Sequence, residues 1–519
     1  MILITELNSF VKKIIDINSY NFKFNYSPEI TFFFKYTIAS CNVSLLLLVF
    51  ALIINIIFSI FFKSYTAAFS FLKYFSMLIV TIILIIFMIK FYITLKIESV
   101  LGSQILTLKL NFFKQNANIP FIEMYTLFSS SFGDAILILC IIVGLVCLEL
   151  LGPKNIFQSI NNISIFFLFT FFVTIMISTT NLLIMFISFE FIFLPTIYFA
   201  YTLGYTKKID SASKMLIYWT LFGSFLVLSN LGYLYYQYKT LNYFFLLQKK
   251  FSQQELIFLF FNFLLGFGIK IPIAPLHFWL LKVHVEAPTA FSIYLSGFLV
   301  KAALYCFYMF LSLFNNNNLY TYLIIWVIYS LLISTLGLAR QVDIKKLIAW
   351  ATVQEMSFIL LFLLLKQLVL THTCIIFTLL HGLMSSYMFF LVDILQRRYK
   401  TRSLKFITGL NMFFPELTKY VWFLILLFSG FPLTVKFFIE WSLISLLLET
   451  NRFVLLIVLF FINFLGVIFF CKIMFTILYG APPKQDADLE FFEIQKKEKV
   501  ILQLLAFIIM VLIVFMYFI

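Results

Sequence analysis

Apolar runs of membrane-spanning length recur along the whole chain, and short polar segments separate them. A helix needs about 20 apolar residues to cross the hydrocarbon core of a bilayer. The pattern predicts about fourteen such helices and therefore an all-α polytopic membrane protein. The predicted spans are Val43–Phe62, Phe75–Thr94, Ala135–Leu151, Ile163–Thr180, Leu182–Leu203, Ala212–Tyr236, Glu255–His284, Thr289–Leu313, Leu319–Leu338, Ile344–Leu365, Leu368–Leu395, Tyr420–Leu448, Phe453–Tyr479 and Val500–Tyr517.

Composition excludes a soluble protein of this size. Hydrophobic residues make up 63% of the 519 residues and charged residues only 11%. A soluble fold of this length cannot hide that much apolar surface from water, whereas a bilayer can. We therefore predict one polytopic membrane domain rather than a soluble domain on an anchor.

The net charge of +15 is distributed over short loops and is not clustered on a soluble domain. This arrangement excludes a nucleic-acid-binding protein and is typical of topology signals, since lysine- and arginine-rich loops stay on the synthesis side of the membrane. The alternation of spans places four basic loops on that side. Their cations are Lys207 and Lys208, then Arg340, Lys345 and Lys346, then Arg397, Arg398, Lys400, Arg402 and Lys405, and finally Lys484, Lys496, Lys497 and Lys499.

The six cysteines are scattered and form no CxxC pair. We interpret them as small apolar residues, and we predict no metal site and no cofactor-binding residue on this chain. The first forty residues contain neither a secretory signal nor an arginine-rich transit peptide. Several of the preferred residue types have AT-rich codons, which indicates an organelle genome.

Seven ionisable side chains fall in the middle of predicted spans and carry the candidate chemistry. A charge near the bilayer centre costs several kcal/mol, so each is a functional hypothesis by default. A single charged residue in a span can also be explained by snorkelling or by a structural ion pair. A lone histidine can also be an interior polar group whose hydrogen bonds are satisfied. Groups of both signs in six spans favour a proton relay instead. The seven are Glu190, Lys270, Lys301, Glu355, His381, Lys436 and Glu440.

Three further acids lie closer to the predicted span ends. Asp393, Asp134 and Glu149 are each near the boundary between lipid and water. We interpret them as solvated residues, and we keep Asp393 as a candidate modifier of the relay.

Helix breakers interrupt the seventh and twelfth spans beside a charge. The breakers are Pro272 and Pro275 in the seventh span and Gly430 and Pro432 in the twelfth. Proline removes an intrahelical hydrogen bond, and the freed carbonyl groups need protein or water as partners. We expect a hydrated interior cavity at the break, where the C-terminal end of the first half-helix favours the ammonium group of Lys270.

The two broken spans are five spans apart. This spacing places them at corresponding positions of two five-span units with opposite orientation in the membrane, spans four to eight and nine to thirteen. Matched interrupted spans in two inverted halves are typical of transporters.

At these residues the chain resembles subunit 4 of NADH dehydrogenase, an antiporter-like membrane subunit of respiratory complex I. The segment "IKIPIAPLHFWLLKVHVEAPTAFSIYLSGFLVKAALY" is similar to the family pattern K-x-P-x-x-P-x-H-x-W-L-P-x-A-H-x-E-A-P followed by a lysine in the next helix. "FEFIFLPTIYFAYTLGY", "RQVDIKKLIAWATVQEMS", "LLHGLMSSYMFFLVDILQRRYKTR" and "SGFPLTVKFFIEW" follow the family order, so the resemblance runs from about Gly133 to the C-terminus.

The resemblance implies specific roles for the buried charges. Glu190 and Lys270 form the ion pair of the first half, Lys301 and His381 carry the proton along the central axis, and Glu440 is the terminal acid near the exit. The chain also departs from the family pattern: "HFWLLKVH" lacks the usual proline after W-L, the first 130 or so residues match poorly, and two departures concern buried charges. Glu355 stands where the family usually has histidine, and Lys436 stands where asparagine is common.

The resemblance also implies an assembly. It implies proton translocation coupled to quinone reduction in other subunits, with FMN, iron–sulfur clusters and ubiquinone held elsewhere in the complex. Expected partners are membrane lipids and other membrane-arm subunits, especially the antiporter-like subunits 2 and 5. The expected location is the mitochondrial inner membrane, with a plastid relative of complex I as the alternative.

We divide the chain accordingly into four parts. Residues 1–132 hold an N-terminal extension and two helices, residues 133–318 the third helix and first repeat, residues 319–480 the second repeat, and residues 481–519 a loop and the last helix. Two other functions stay open: a subunit of a multi-chain sodium/proton antiporter, and a scaffold of the same fold that pumps nothing.

Overall fold

The computed structural model describes residues 44, 47–49, 78–92, 94, 130–151, 156–202, 208–314, 317–365, 368–481 and 494–516, and every regular element in them is helical. The predicted first span, Val43–Phe62, lies mostly outside these residues. We number the described helices α1 Leu78–Tyr92, α2 Ser131–Leu151, α3 Ile156–Ser178, α4 Leu182–Thr202, α5 Lys208–Tyr238, α6 Tyr243–Leu247, α7 Gln253–Lys270, α8 Phe278–Glu286, α9 Thr289–Tyr294, α10 Val300–Leu311, α11 Asn317–Ala339, α12 Ile344–Leu364, α13 Leu368–Tyr399, α14 Leu410–Phe413, α15 Pro415–Ser429, α16 Val435–Glu449, α17 Phe453–Tyr479 and α18 Lys496–Met516. A π-helical turn, Leu295–Leu299, joins α9 to α10.

Seven helical stretches in the described residues are long and apolar enough to cross a membrane, which confirms the all-α polytopic prediction. They differ in how deeply protein covers them. In Thr289–Leu311, Ile344–Leu364 and His372–Tyr399, every residue of the apolar 18-residue core is buried, whereas in Phe453–Tyr479 only 22% of that core is buried and apolar side chains are exposed. The three inner stretches therefore provide sites shielded from lipid.

The chain divides into two compact units: Met1–Ile141 with Gly152–Ile192 and Leu234–Lys249, and Ile142–Leu151 with Phe193–Tyr233 and Lys250–Ile519. In the first unit, Lys90 of α1 lies 2.9 Å from Asp134 in the first turn of α2, and both side chains are fully buried. The interpretation of Asp134 as a solvated residue is therefore wrong. Its place near a span end indicated water, but that end of the helix is covered by α1.

In the second unit, α12 packs between α11 and α13, and α13 also contacts α9, α16 and α18. The basic loops before α12 and after α13 lie side by side. The Ile344 amide donates to the Arg402 carbonyl at 3.1 Å, and the Leu404 amide donates to the Val342 carbonyl at 2.8 Å. These two loops are thus at the same end of the helices, as their common charge predicts.

Both predicted helix breaks are present. α7 ends at Lys270 and α8 begins at Phe278, with Pro272 between them at φ 25°. α15 ends at Ser429 and α16 begins at Val435. Each broken span therefore consists of two half-helices separated by a short irregular segment.

Candidate functional site

Three of the seven mid-span ionisable side chains lie on the three inner stretches. Lys301 of α10, Glu355 of α12 and His381 of α13 are 0%, 2% and 1% exposed. Lys301 is within electrostatic range of both Glu355 and His381. Sites buried to this degree are costly unless the charges are paired, so the geometry of each group is informative.

The π-helical turn explains how Lys301 is held. The amide of Val300 donates to the Leu295 carbonyl, one residue further back than in an α-helix. The Ser296 carbonyl, which would accept that amide in a regular helix, accepts a hydrogen bond from the Lys301 ammonium group instead. The wide turn thus creates an acceptor for a buried cation inside its own helix.

Lys436 is the centre of a second buried cluster. Its ammonium nitrogen lies 2.7 Å from an oxygen of Glu355 and 3.7 Å from an oxygen of Glu440, four residues along α16. It also donates to the carbonyl of Phe428 at 2.8 Å. One cation therefore joins α12, α15 and α16.

The broken span prepares this position for a cation. Phe428 is in the last turn of α15, where carbonyl groups lack intrahelical donors and carry the negative end of the helix dipole. Gly430 ends the helix at φ 65°, a left-handed conformation that glycine adopts without strain. A side chain there would also meet Glu440, because an added Cβ would lie 3.0 Å from the Glu440 carboxylate. Pro432 follows in the irregular segment before α16.

Glu440 is more accessible than its neighbours. Its side chain is 28% exposed, against 3% for Lys436. Both residues line a pocket of about 200 Å³ together with Asn463 and the rings of Phe358 and Phe362. Glu440 is therefore the member of this cluster that is in contact with space outside the helix bundle.

His381 interacts electrostatically with two buried lysines, Lys301 and Lys436. Neither of its ring nitrogens has a hydrogen-bond partner among the described residues. The π-helical turn passes close to the adjacent Gly382, since an added Cβ on Gly297 would be in van der Waals contact with the Gly382 carbonyl oxygen at 3.4 Å. An imidazole here has one donor and one acceptor available for proton transfer through a bridging water.

Lys270, at the end of α7, is fully buried and donates to the Ser224 hydroxyl of α5 at 3.0 Å. Its ammonium nitrogen lies 5.4 Å from the centre of the Phe193 ring. α5 and α7 come close at this level because Gly223 faces Gly266, where an added Cβ would be 2.8 Å from the Gly266 carbonyl oxygen.

Protein side chains provide hydrogen-bond partners at the break after Lys270, and the hydrated cavity expected there stays a prediction. The Trp279 indole donates to the Ile269 carbonyl at 2.8 Å. The Ser330 hydroxyl accepts the Ala274 amide at 3.0 Å, and the Trp326 indole donates to the Ala274 carbonyl at 2.7 Å. Backbone groups that are freed near Pro272 and Pro275 thus find partners on α8 and α11, as a buried position away from water requires.

Glu190 of α4 is half-buried and belongs to the first unit, whereas Lys270 belongs to the second. Their ion pair therefore stays a prediction.

The environment of Asp393 differs from the solvated position that the sequence analysis assigned to it. Its carboxylate accepts the Thr289 hydroxyl at 2.6 Å and pairs with Arg397, one turn along α13. The side chain is 18% exposed. The interpretation as a residue bound by water alone is therefore wrong, because protein groups bind its carboxylate.

Lys90 and His284 are among the buried groups that the sequence analysis missed. Lys90 pairs with Asp134 in the first unit. His284 of α8 is fully buried, and its ring stacks on Phe389 with centroids 4.8 Å apart. The sequence analysis included His284 only as part of the family motif. Nothing in the local sequence of Lys90 indicates a partner in another helix.

Comparison with known proteins agrees with this architecture. The family described as NADH:quinone oxidoreductase/Mrp antiporter, transmembrane region, matches residues 179–466. NADH-ubiquinone oxidoreductase chain 4 of Paramecium tetraurelia is 34% identical over 367 residues, which cover 71% of this chain and 77% of that protein. The chain 4 protein of Chondrus crispus is 31% identical over 326 residues, and the match covers 61% of this chain and 65% of that protein.

Two solved structures share the fold. A chain of the membrane-bound sulfane sulfur reductase, an archaeal respiratory membrane complex, has a TM-score of 0.65 at 18% identity, covering 80% of this chain and 72% of its own. A chain of the Mrp complex from a Dietzia species has a TM-score of 0.64 at 19% identity, covering 79% and 80%.

The family match begins before Glu190 of α4 and ends after the second broken span, which consists of α15 and α16. The Paramecium relative is similar over most of its length. The chain belongs to the NADH:quinone oxidoreductase/Mrp antiporter family, in its NADH-ubiquinone oxidoreductase chain 4 group.

Proposed function

We propose that the chain is a proton-translocating membrane-arm subunit of NADH:ubiquinone oxidoreductase, complex I. The observation that carries this proposal is the placement of Lys301, Glu355 and His381 on three helices that are wholly covered by protein. Acids and bases buried at this cost, in a chain of this family, are retained for moving protons.

In this proposal each group has a role that follows from its contacts. Lys270 and Lys301 are buried cations whose protons are held by a hydroxyl and a carbonyl acceptor. A proton arriving on His381 creates a positive charge within range of Lys436. Like charges repel, so this charge favours release of the Lys436 proton towards Glu440, the accessible member of its cluster.

The finer assignments are part of the same proposal. We place the chain in the mitochondrial inner membrane, encoded by the organelle and in contact with the antiporter-like subunits 2 and 5. Redox chemistry, with FMN, iron–sulfur clusters and ubiquinone, takes place on other subunits. The names of the relatives and the absence of a cofactor motif in the sequence support this division.

Sodium/proton antiport is the alternative function, and the likeness to a chain of the Mrp complex concerns the fold alone. The geometry at Lys436 disfavours it. Sodium is a hard cation and binds oxygen ligands. Here the ammonium of Lys436 already lies between the carboxylates of Glu355 and Glu440, so sodium would have to displace it.

The test is purification of the native assembly that contains this chain, followed by reconstitution into vesicles. We expect flavin and iron–sulfur subunits in the assembly, and proton uptake into the vesicles driven by NADH and quinone without added sodium. An assembly that lacks redox subunits, or transport that requires sodium, would contradict the proposal.

A further inference from the structure

We propose that the acidic segment 482–493, between α17 and α18, docks on a basic platform formed by the loop before α12, the first turn of α12 and the loop after α13. The platform consists of Arg340, Val342, Lys346, Lys405 and Phe406. The segment is outside the described residues, and its sequence, its two attachment points and the platform carry the inference. The docking goes beyond the proposed function and does not depend on it.

The segment is acidic although the loop that contains it was predicted to be basic. Residues 486–493, "DADLEFFE", hold four of the 22 acidic residues of the chain. Lys484 is the only cation of the segment, so four acids and one lysine give it a net charge of −3. Leu489, Phe491 and Phe492 place apolar side chains among the acids. This composition is complementary to a basic surface that also exposes apolar side chains.

The platform is such a surface. The two backbone hydrogen bonds described above hold the loop before α12 beside the loop after α13. Arg340, Lys346 and Lys405 are exposed. Val342 and Phe406, on the same two loops, are 52% and 58% exposed. Three cations and two large apolar side chains therefore face the same compartment.

The platform keeps an excess of positive charge because acids around it are already paired. Four such pairs are Asp343 with Arg402, Asp393 with Arg397, Glu416 with Lys499 and Glu498 with Arg398. The three cations of the platform have no ion pair among the described residues. An acidic segment would neutralise them without breaking any of these pairs.

The start of the segment is attached beside the platform. The Thr408 hydroxyl donates to the Ala481 carbonyl at 2.5 Å, and Lys405 is only three residues before Thr408. Asp486 is five residues after Ala481, so the two Cα atoms are at most about 18 Å apart even in an extended chain. The first acids of the segment can therefore reach the platform.

The end of the segment is attached to the same loop. Glu498, in the first turn of α18, lies 2.9 Å from Arg398 and 3.2 Å from Arg397, and both arginines are in the last turn of α13. The Gln495 amide also donates to Glu498 at 3.2 Å. With both ends fixed at the loop after α13, the acids have a high effective concentration at the platform.

The position of the platform disfavours an anionic lipid as its occupant. The apolar cores of α12 and α13 are wholly covered by protein, so the loops joined to these helices open to water rather than to lipid headgroups. A separate acidic subunit would lose translational and rotational freedom on binding, whereas the segment is already tethered. The chain's own segment is therefore the favoured occupant.

Docking connects parts of the chain that are distant in sequence. Arg402 donates to the Val285 carbonyl at 2.5 Å and Lys345 to the Ala287 carbonyl at 3.2 Å, so the loops of the platform also hold the end of α8. α8 is the second half of the first broken span. A docked segment thus joins the connection between α17 and α18 to the loops that support this half-helix.

The first experiment treats the purified native complex with a water-soluble carbodiimide, which joins a carboxylate to a lysine amine without a spacer. We expect cross-links, identified by mass spectrometry, from Asp486, Asp488 or Glu490 to Lys405 or Lys346. Lys250, an exposed lysine before α7, is the control and is expected to form none with the segment. The yield is expected to fall between about 0.1 M and about 1 M salt, because the Debye length shrinks from about 10 Å to about 3 Å.

The second experiment exchanges charges and measures cleavage after Glu490 by a glutamate-specific protease. Lys405→Glu replaces an attraction by a repulsion, and we expect cleavage to be faster by about two- to fivefold, the effect of one exposed ion pair. Lys405→Arg keeps the charge and is expected to match the wild type. The double variant Lys405→Glu with Asp488→Lys restores opposite charges, so cleavage is expected to return towards the wild-type rate.

The outcomes separate the docking from its alternatives. Cross-links from these acids only to the adjacent Lys496 and Lys497, or no cross-links at all, would overturn the proposal. Cross-links from the platform lysines to another subunit would overturn it too, and would identify the platform as an interface with an acidic partner. Equal cleavage in Lys405→Glu and Lys405→Arg would show that the charge does not hold the segment. If Lys405→Glu fails to assemble, cross-linking of the native complex decides. Proton transport is measured in neither experiment, so a negative result leaves the proposed function in place.

Discussion

Lys436 holds its ammonium group between two carboxylates from different helices, 2.7 Å from Glu355 of α12 and 3.7 Å from Glu440 of its own α16. Lys436 and Glu440 share a helix face, as their spacing of four residues predicts. The closer partner, however, is Glu355, which is 81 residues away in sequence. The two buried charged residues that depart from the resembled family pattern, Glu355 and Lys436, are thus in direct contact with each other.

Lys436→Met is expected to destabilise the chain because it leaves the carboxylate of Glu355 buried and unpaired. Removing one partner of a buried ion pair typically costs about 3–5 kcal/mol. The amount of assembled complex and the temperature at which this chain dissociates from it measure the effect. Lys472→Met, at an exposed lysine of α17, is the control and is expected to be neutral.

The double variant Lys436→Met with Glu355→Gln tests whether the two residues act as a pair. Neutralising both removes the uncompensated charge, so assembly is expected to recover most of what the single change loses. Proton transport is not expected to recover, since the cation beside Glu440 is gone. Additive losses of stability in the double variant would argue against the coupling.

The contact between Lys436 and Glu355 illustrates what the sequence can predict and what it cannot. Span positions, helix breaks and the ionisable residues inside spans follow from local pattern, because hydropathy and proline act within one helix. The choice of partner does not, since it depends on which faces of distant helices meet. The ion pair between Lys90 and Asp134 was missed for the same reason.

The broken seventh span shows a second limit of local reasoning. The sequence identified the break at Pro272 and the buried lysine before it. It also indicated a hydrated cavity, because freed backbone groups need partners. Some of these partners are the side chains of Trp279, Trp326 and Ser330, which the sequence did not indicate. Tryptophan and serine in an apolar span have many possible roles, and only the packing decides among them.

Ser330→Ala is expected to weaken the break after α7. The Ala274 amide would lose its acceptor in a buried position, and an unsatisfied buried donor costs about 1–3 kcal/mol. Ser334→Ala is the matched control, because Ser334 is equally buried but its hydroxyl bonds to Leu331 in its own helix. Thermal release of the chain from the purified complex gives the comparison. Equal stability of the two variants would show that the Ala274 contact contributes nothing.

Glu190→Gln is expected to leave the assembled complex intact and to lower proton transport strongly. The predicted role of Glu190 is to control the charge of Lys270, and glutamine keeps the size of the side chain while removing its charge. Glu149→Gln, at an exposed acid of α2, is the control. Protons moved per electron are measured for both in vesicles. A normal ratio in assembled Glu190→Gln would refute the assignment.

Gly297→Ala is expected to disturb the region between Lys301 and His381. Gly297 lies in the π-helical turn, and an added Cβ would be 2.8 Å from one methyl carbon of Val143 and 3.0 Å from the other. Val143 is fully buried, and its β-branched side chain has few alternative rotamers.

Overpacking of this kind typically costs about 1–3 kcal/mol, and a shift of the π turn away from Val143 would also move the Ser296 carbonyl that accepts Lys301. We therefore expect lower thermal stability together with slower proton transport. Gly232→Ala in α5 is the matched control, since nothing lies within 4 Å of its added Cβ. Alanine is the better helix former, so this change is expected to be neutral or to stabilise by about 0.5–1 kcal/mol.

A second substitution identifies the cause. Val143→Ala in the Gly297→Ala background removes both methyl groups that the new side chain meets, so stability and transport are expected to recover together. Val143→Ala alone leaves a small cavity and is expected to lower stability with little effect on transport. Recovery of stability without recovery of transport would mean that Gly297 serves the relay through backbone freedom in the π turn. No recovery of either would contradict the steric explanation.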